Sequence, residues 1–345
     1  MSDKRYLGNI ITDTPTAPAG PYEDSAASGV WSLAEAFAYN KAGLWPIPGN
    51  VNPLAGDIAL VAGGQTPSDP YYTTAIQYFS ITTLGNATDY GNVSLKYGNL
   101  ASFASTTRAC FASGSGFADV IEYIEIQTGG TASDFGDLTA SATARAGCSS
   151  STRGLVGGGY SSGSGSNVID YVTIASTGNA ADFGDLTSGR YNLEAVQSTT
   201  RAVFGGGSTG SYSNVMDYVT IASTGNATDF GDLISARQSL GSGSNSTRGL
   251  FAGGWSGSRI NAIDYITIAS TGNAIDFGDL LAANYEICGT ANSTRAVFMG
   301  GNTSGSGTNV IQYVTIASTG NATDFGDLTN SIVHGGGTSN CHGGI

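Results

Sequence analysis

A unit of about 47 residues recurs along the chain and constrains its fold more than any other feature. The Tyr of an Ile-x-Tyr segment returns every 45 to 48 residues, at Tyr78, Tyr123, Tyr171, Tyr218, Tyr265 and Tyr313. An Asp-Phe-Gly-Asp segment and an Arg after Ser/Thr-Thr repeat in step with it. Anchors that stay in step indicate one duplicated unit, and a period near 47 is typical of a β-propeller blade.

Each unit reads as four short strands separated by Gly- and Asn-rich turns. The third strand is the clearest, because Val, Ile, Tyr and Thr crowd together and apolar residues such as Ile263 and Ile266 fall on both of its faces. A strand that is apolar on both faces must lie between two other layers, as it does in stacked blades. The sequence predicts blade two at 97–138, blade three at 143–186, blade four at 190–233, blade five at 237–280 and blade six at 284–328.

The two ends of the repeat array predict how the ring closes. The segment IALVAGG at 58–64 matches a second strand, whereas the segment after the last repeat matches a first strand. Blade one is therefore expected to combine 58–93 with a C-terminal strand from 332–341, which removes open sheet edges. The expected fold is all-β: a six-bladed propeller over 57–345, preceded by an N-terminal arm with a short helix.

The repeat also resembles two known families. A double Gly after an apolar strand, followed by an aromatic residue in each of the next two strands, resembles the kelch repeat, although Phe stands where kelch has Trp and Tyr90 stands there in blade one. The segments YVTIASTGNATDFGDLT and STRGLFAGG, and the leader ASGVWSLAEAFAYNKAGLWP, resemble virion structural and fibre proteins of marine tailed bacteriophages, as found in cyanophages. The kelch resemblance implies a propeller without a specific function.

The leader, residues 1–56, does not fit the repeat. Its first part is rich in Pro, Ala and Gly, which is typical of an extended arm. Ser32 with Glu35 forms a capping box and Gly43 a stop signal, so a helix is expected at 33–42. Four aromatic residues either pack this helix on the propeller or dock it into a neighbouring subunit: Trp31, Phe37, Tyr39 and Trp45.

Composition excludes several classes of function. The formal net charge is −13 with 13 basic residues, and they are scattered, so nucleic-acid binding is not expected. No run is long and apolar enough for a membrane span, and no secretory signal is visible. The four cysteines have no CxxC spacing, which predicts free thiols in a reducing cytosol.

The sequence offers no catalytic constellation, and we expect no cofactor and no metal. Asp-Phe-Gly lacks the other kinase motifs, so its Phe is interpreted as inter-blade core and its Asp as a turn cap. Pairs such as Asp229 and Asp232 supply too few oxygens for calcium. Metal or acid–base chemistry at His334 or His342, both in the closing strand, would need partner residues nearby, and both are expected to pack instead.

One face of the propeller should carry the variation among repeats. Loops between strands one and two and between three and four are nearly uniform, whereas the other two sets of loops vary. The variable loops carry aromatic residues and Arg, which suit a glycan or protein surface or else brace neighbouring blades. The candidate binding residues are Tyr71, Tyr72, Tyr97, Tyr160, Arg190, Tyr191, Tyr212, Arg237, Trp255, Arg259 and Tyr285.

The phage resemblance implies a non-enzymatic virion protein, a tail or fibre component assembled in the host cytoplasm. Residues 1–56 would bind other virion proteins, several copies would be present on the particle, and the variable face would contact a host glycan, a receptor or a neighbour. Two alternatives stay open: a free carbohydrate- or protein-binding propeller, and a capsid decoration protein.

Overall fold

The computed structural model describes residues 57–66, 72–94, 98–114, 116 and 118–341. These residues form an all-β propeller of six blades, each built on a four-stranded antiparallel sheet, which confirms the expected architecture. No helix occurs among them, and hence none that is long and apolar enough to cross a bilayer. The helix predicted at 33–42 and the aromatic residues of the leader lie outside the described residues.

Strands are numbered here in chain order. Blade one contains β1 (Ile58–Ala62), β2 (Ala75–Ser80) and β3 (Thr88–Asn92). Blade two contains β4 (Ala101–Ala104), β5 (Arg108–Ala112), β6 (Val120–Glu125) and, after the two-residue strand β7 (Gly130–Thr131), β8 (Ser133–Asp137). Blade three contains β9 (Ala146–Ser149), β10 (Arg153–Gly157), the small hairpin β11 (Tyr160–Ser161) and β12 (Ser164–Gly165), β13 (Val168–Thr173) and β14 (Ala181–Asp185).

The remaining blades repeat the pattern. Blade four contains β15 (Glu194–Gln197), β16 (Arg201–Gly205), β17 (Val215–Thr220) and β18 (Thr228–Asp232). Blade five contains β19 (Gly241–Ser244), β20 (Arg248–Ala252), β21 (Ile260–Thr267) and β22 (Ile275–Asn284). Blade six contains β23 (Cys288–Ala291), β24 (Arg295–Met299), β25 (Thr308–Thr315) and β26 (Thr323–Ile332), and the last strand is β27 (Gly336–Ser339).

The C-terminal strand closes the ring. Strand β27 pairs antiparallel with β1, with Leu60 opposite Thr338, and becomes the innermost strand of blade one. The innermost strands of successive blades contact each other all the way round, through β27 back to β4. The predicted closure by the C-terminal strand is therefore confirmed. On the outer edge of blade one, β7 pairs in parallel with β3 and covers that edge.

The inner strands approach so closely that small residues are required at their contacts. A Cβ atom on Gly147 would lie 2.4 Å from the carbonyl oxygen of Ser102, and one on Gly289 would lie 2.2 Å from that of Ser242. Such contacts leave only a narrow central channel, with a cavity of about 50 Å³ between the inner strands. The hydrophobic core lies between the blades, for example where Val156 of blade three meets Phe103 and Phe135 of blade two.

The Asp-Phe-Gly-Asp segment forms the seam between blades. Phe135 is 2% exposed, and Tyr123 packs against its edge, with ring centroids 5.9 Å apart. The main-chain N–H of Asp137 donates to Oδ1 of Asn179 in the next blade at 3.2 Å, and equivalent bonds recur around the ring. The interpretation of the Phe as inter-blade core is confirmed. The main chain of the second Asp is thus capped by an Asn side chain of the next blade, while the turn-cap role of the Asp in Asp-Phe-Gly stays a prediction.

The repeated Arg fastens each blade to the next. The Arg108 guanidinium lies over the ring of Tyr123, 4.6 Å from its centroid, and donates to the carbonyl of Ile174 in blade three at 3.2 Å. Arg153, Arg201, Arg248 and Arg295 do the same, and the last of them reaches Ile81 in blade one. This repeated Arg is therefore part of the scaffold.

All four cysteines are buried thiols, and none of them forms a disulfide, so the prediction of thiols without a disulfide framework is confirmed. Burial raises the pKa of the Cys288 and Cys341 thiols to about 12. At neutral pH they are protonated and behave as small apolar side chains.

Candidate ligand-binding site at the mouth of the central channel

The variable loops meet around the channel on one face, called here the variable face. The loop between strands two and three of a blade pairs with the loop that leads into the first strand of the same blade. Trp255 forms a bridge with Gln238, Ser208 with Tyr191, and Asn302 with Tyr285. These bridges hold the variable side chains on a fixed main chain, which suits a preorganised site.

Six residues with left-handed main chains surround the channel opening. They occupy the same position in every repeat, and their φ angles lie between 53° and 58°. We call them the mouth ring: Asn99, Ala144, Asn192, Ser239, Glu286 and His334. None of the six is glycine, although a left-handed main chain costs free energy in every other residue type. Residues held in this conformation are often found at ligand sites.

Main-chain hydrogen bonds link the mouth ring from blade to blade. The N–H of Ser239 donates to the carbonyl of Asn192, Glu286 donates to Ser239, and His334 donates to Glu286, at 2.9 to 3.0 Å. Asn99 then donates to His334 at 2.8 Å and carries the chain of bonds across the ring closure. The main chain of this ring is repetitive, but its side chains differ at nearly every position.

Above the mouth ring lies an open cavity of about 450 Å³, called the mouth cavity. This volume lies within the range of about 300–1,000 Å³ typical of ligand pockets. Two aromatic pairs line it: Tyr160 with Tyr191, and Trp255 with Tyr285, each with ring centroids 5.0 Å apart. All four side chains are half-buried, so part of each ring faces the cavity.

The Trp255 pair is supported from behind by polar contacts. Nε1 of Trp255 donates to the hydroxyl of Tyr212 at 3.0 Å. The Arg259 guanidinium lies 5.9 Å from the ring centroid of Trp255 and 5.4 Å from that of Tyr285. It also donates to the main-chain and side-chain oxygens of Asn302, at 3.1 and 3.0 Å. These contacts fix the orientation of both rings.

The ionisable side chains of the mouth ring are Glu286 and His334, which lie next to each other at the cavity. Nε2 of His334 lies 3.0 Å from Oε1 of Glu286, and both side chains are less than a fifth exposed. No Lys or Arg lines the cavity among the residues that the structure describes. Partial burial, and then the neighbouring Glu286 carboxylate, raise the pKa of the Tyr285 hydroxyl, so this hydroxyl can act as a hydrogen-bond donor at neutral pH.

Two predicted binding residues are not on the surface. Arg190 and Arg237 are fully buried and form ion pairs with Asp217 and Asp264, at 2.5 and 2.9 Å. Arg190 also donates to the carbonyls of Gly206 and Val215. The expectation that these two arginines bind a ligand is wrong. The alternative, that they brace neighbouring blades, does not hold either, because each side chain bonds within its own blade.

The other predicted residues divide into three groups. Tyr160, Tyr191, Trp255 and Tyr285 come together at the mouth cavity, with Tyr212 and Arg259 behind them. Tyr72 lies in blade one, half-buried, and its hydroxyl accepts a hydrogen bond from Nε2 of Gln65 at 3.2 Å. Tyr71 and Tyr97 lie outside the described residues.

A buried carboxyl lines the channel beneath the mouth ring. Glu194 accepts a hydrogen bond from Oγ of Ser242 at 3.0 Å. It keeps some accessible surface, and it lines the narrow channel. Burial therefore raises the pKa of Glu194 to about 7. The sequence analysis did not single out this residue.

The described residues contain no cluster of three His, Cys, Asp or Glu side chains arranged to hold a metal ion. No protein-family model matches the chain, and no curated protein sequence matches it either.

Proposed function

We propose that this chain is a non-enzymatic bacteriophage virion protein, a tail or fibre component that presents the mouth cavity to the host surface. The observation that carries the recognition role is the contrast between the two faces. One face consists of near-identical loops tied together by repeated contacts, whereas the other gathers unlike aromatic and charged side chains around a cavity. A scaffold can be symmetric, but a site for one ligand must break the symmetry of the repeat.

The proposed activity is binding rather than catalysis. Repeated Arg side chains hold neighbouring blades together, and the buried Arg–Asp pairs lie inside the blades. At the mouth, half-buried aromatic rings on a hydrogen-bonded main chain provide a preorganised contact surface, and such rings are enriched at recognition sites.

The particle setting is supported by the likeness of the repeat and the leader to phage virion proteins. Residues 1–56 would attach the propeller to other virion proteins during assembly in the host cytoplasm. Several copies on one particle would bind together, so avidity would offset weak binding at each site.

The particle location is tested by mass spectrometry of purified virions and by immunogold labelling with antibody against the propeller. We expect the chain in the particles and the label at the tail or its fibres. Label over the head would support a capsid decoration protein instead. Absence of the chain from the particles would contradict the virion role.

A second candidate is a free carbohydrate-binding propeller. One observation favours it: the mouth cavity is formed by a single chain, so a monomer could bind ligand without a particle. Light scattering separates the two roles when combined with the virion analysis. A monomeric protein that binds glycans and is missing from virions would support the free form.

A further inference from the structure

We propose that the mouth cavity binds uncharged pyranose rings of a surface glycan and discriminates against acidic sugars. This inference names the ligand class for the recognition face and rests on the function proposed above. Three features carry it: the two aromatic pairs, the chemistry of the mouth ring, and the sign of the charge at Glu286.

The aromatic pairs suit the C–H faces of sugar rings. A pyranose has an apolar face of C–H groups, and the electron-rich face of an aromatic ring attracts such groups. Tyr160–Tyr191 and Trp255–Tyr285 provide two such surfaces in one cavity, at junctions two blades apart. Main-chain bridges position the residues of both pairs, the rings of each pair pack on each other, and Arg259 also holds Trp255 and Tyr285, so little side-chain entropy is lost on binding.

The polar groups between the pairs suit sugar hydroxyls. Asn192 and Gln238 carry amides, which both donate and accept, and Ser239 carries a hydroxyl. A sugar hydroxyl also donates and accepts at once, so neutral groups of this kind can satisfy it. A cavity for a purely apolar ligand would not be lined in this way, because the polar groups would lose water without compensation.

The charge at the mouth disfavours a ligand carboxylate. The Glu286 carboxylate can accept hydrogen bonds from ligand hydroxyls, and His334 at 3.0 Å holds it in place. A glucuronate or sialate in the same position would bring a second negative charge close to it. Arg259 does not line the cavity, since its guanidinium lies against the aromatic rings and Asn302. Such like-charge contacts are a common source of specificity.

A second depression indicates a ligand of more than one ring. It has a volume of about 490 Å³ and shares Tyr285 and Glu286 with the mouth cavity. Its other lining residues include Gln65, Asn302 and Ser306, which are polar and uncharged. A short oligosaccharide could cross Tyr285 and occupy both depressions, so trisaccharides should bind more tightly than the corresponding monosaccharides.

The test uses the full-length protein and matched ligands. Saturation-transfer NMR and calorimetry would measure binding of methyl glycosides and trisaccharides of glucose, galactose, mannose and N-acetylglucosamine. Methyl glucuronide serves as the matched acidic probe, because it differs from methyl glucoside only at C6. We expect at least one neutral sugar to bind, its trisaccharide to bind more tightly, and the glucuronide to bind more weakly than the glucoside.

Two sets of variants locate the site. Trp255→Ala should weaken neutral-sugar binding by at least about tenfold, while Trp255→Phe keeps most of it, because stacking needs only an aromatic face. Glu286→Gln should weaken neutral-sugar binding about tenfold, since a charge-assisted hydrogen bond becomes a neutral one. The same variant should narrow the gap between glucoside and glucuronide. Circular dichroism would confirm that each variant is folded.

Several outcomes would overturn the inference: no binding of any neutral sugar, glucuronide binding as tight as glucoside binding, or unchanged binding by folded Trp255→Ala. The inference and the proposed function can fail separately. Sugar binding by a protein that is missing from virions would leave the inference standing and remove the virion role. A virion protein that binds no neutral sugar would leave the virion role standing and remove the inference about neutral sugars.

Discussion

The hydroxyl of Tyr90 in blade one donates a hydrogen bond to the main-chain carbonyl of Ile126 in blade two. At the other five junctions the equivalent carbonyl accepts from an arginine, as Ile174 does from Arg108. Blade one has Ile58 where the other blades have that arginine. Blade one therefore has Tyr90 where the other blades have Phe, and its hydroxyl supplies the hydrogen bond to the next blade that the missing arginine would have made.

Tyr90→Phe should destabilise the propeller by about 1 kcal/mol, because the Ile126 carbonyl loses its donor. Burial raises the pKa of the Tyr90 hydroxyl, so the group keeps its proton and donates throughout the neutral range. Chemical denaturation followed by circular dichroism measures the change. Tyr218→Phe is the matched control, since the Tyr218 ring packs on Arg201 and Phe230 at a junction that has its arginine. Equal stability of Tyr90→Phe and the wild type would contradict the claim that the Tyr90 hydrogen bond replaces the arginine hydrogen bond of the other junctions.

The buried ion pairs provide a second prediction. Arg237→Asn or Asp264→Gln alone should destabilise the protein by about 3–5 kcal/mol, because each leaves a buried charge without its partner. The double variant copies blade six, where Asn284 and Gln312 occupy the positions of Arg237 and Asp264. There the side-chain amide of Asn284 donates to the main-chain carbonyl of Gly300 at 2.8 Å, and Oε1 of Gln312 accepts from the main-chain N–H of Leu281 at 2.8 Å. The double variant should lower the free energy of unfolding by less than either single variant does.

A double-mutant cycle under denaturation measures this coupling. We expect a coupling energy of at least about 2 kcal/mol between Arg237 and Asp264. Additive effects would show that the pair contributes nothing as a pair.

The pKa of Glu194 gives a pH prediction. Burial raises it from 4.5 to about 7, so the folded protein binds a proton more tightly than the unfolded chain does. The contribution of Glu194 to stability is therefore favourable at low pH and is lost as pH rises through 7. Glu194→Gln, which cannot ionise, should be more stable than the wild type above pH 7 by up to about 3 kcal/mol.

Below about pH 4.5 this advantage should vanish, because both side chains are then neutral. Denaturation at a series of pH values measures the difference. A difference that does not change with pH would show that Glu194 titrates normally in the channel.

The leader gives a prediction about assembly. Deletion of residues 1–45 should leave a soluble propeller that no longer joins the virion, because the proposed docking residues Trp31, Phe37, Tyr39 and Trp45 are removed. Complementation of a phage that lacks the gene, followed by analysis of purified particles, measures incorporation. Incorporation of the truncated protein at the wild-type level would count against docking through the leader.

The sequence predicted the blades because each repeat carries its own strand and turn signals. It also predicted the closure, because the segment after the last repeat matches a first strand. It did not predict the mouth ring, since Asn, Ala, Ser, Glu and His share no chemistry that marks a left-handed main chain. The inward direction of Arg190 was missed for a different reason: its partner Asp217 lies 27 residues away, and strand pairing in three dimensions sets their contact.

Host adsorption tests recognition by the variable face most directly. Virions would carry Trp255→Ala with Tyr285→Ala, and Leu84→Ala would serve as control, since Leu84 is an exposed residue in a turn of the opposite face. The adsorption rate of particles with the double variant should fall at least about tenfold, because both rings of one aromatic pair are lost. Particles with the control variant should adsorb normally. Normal adsorption by folded, fully assembled double-variant particles would contradict a recognition role for the mouth cavity.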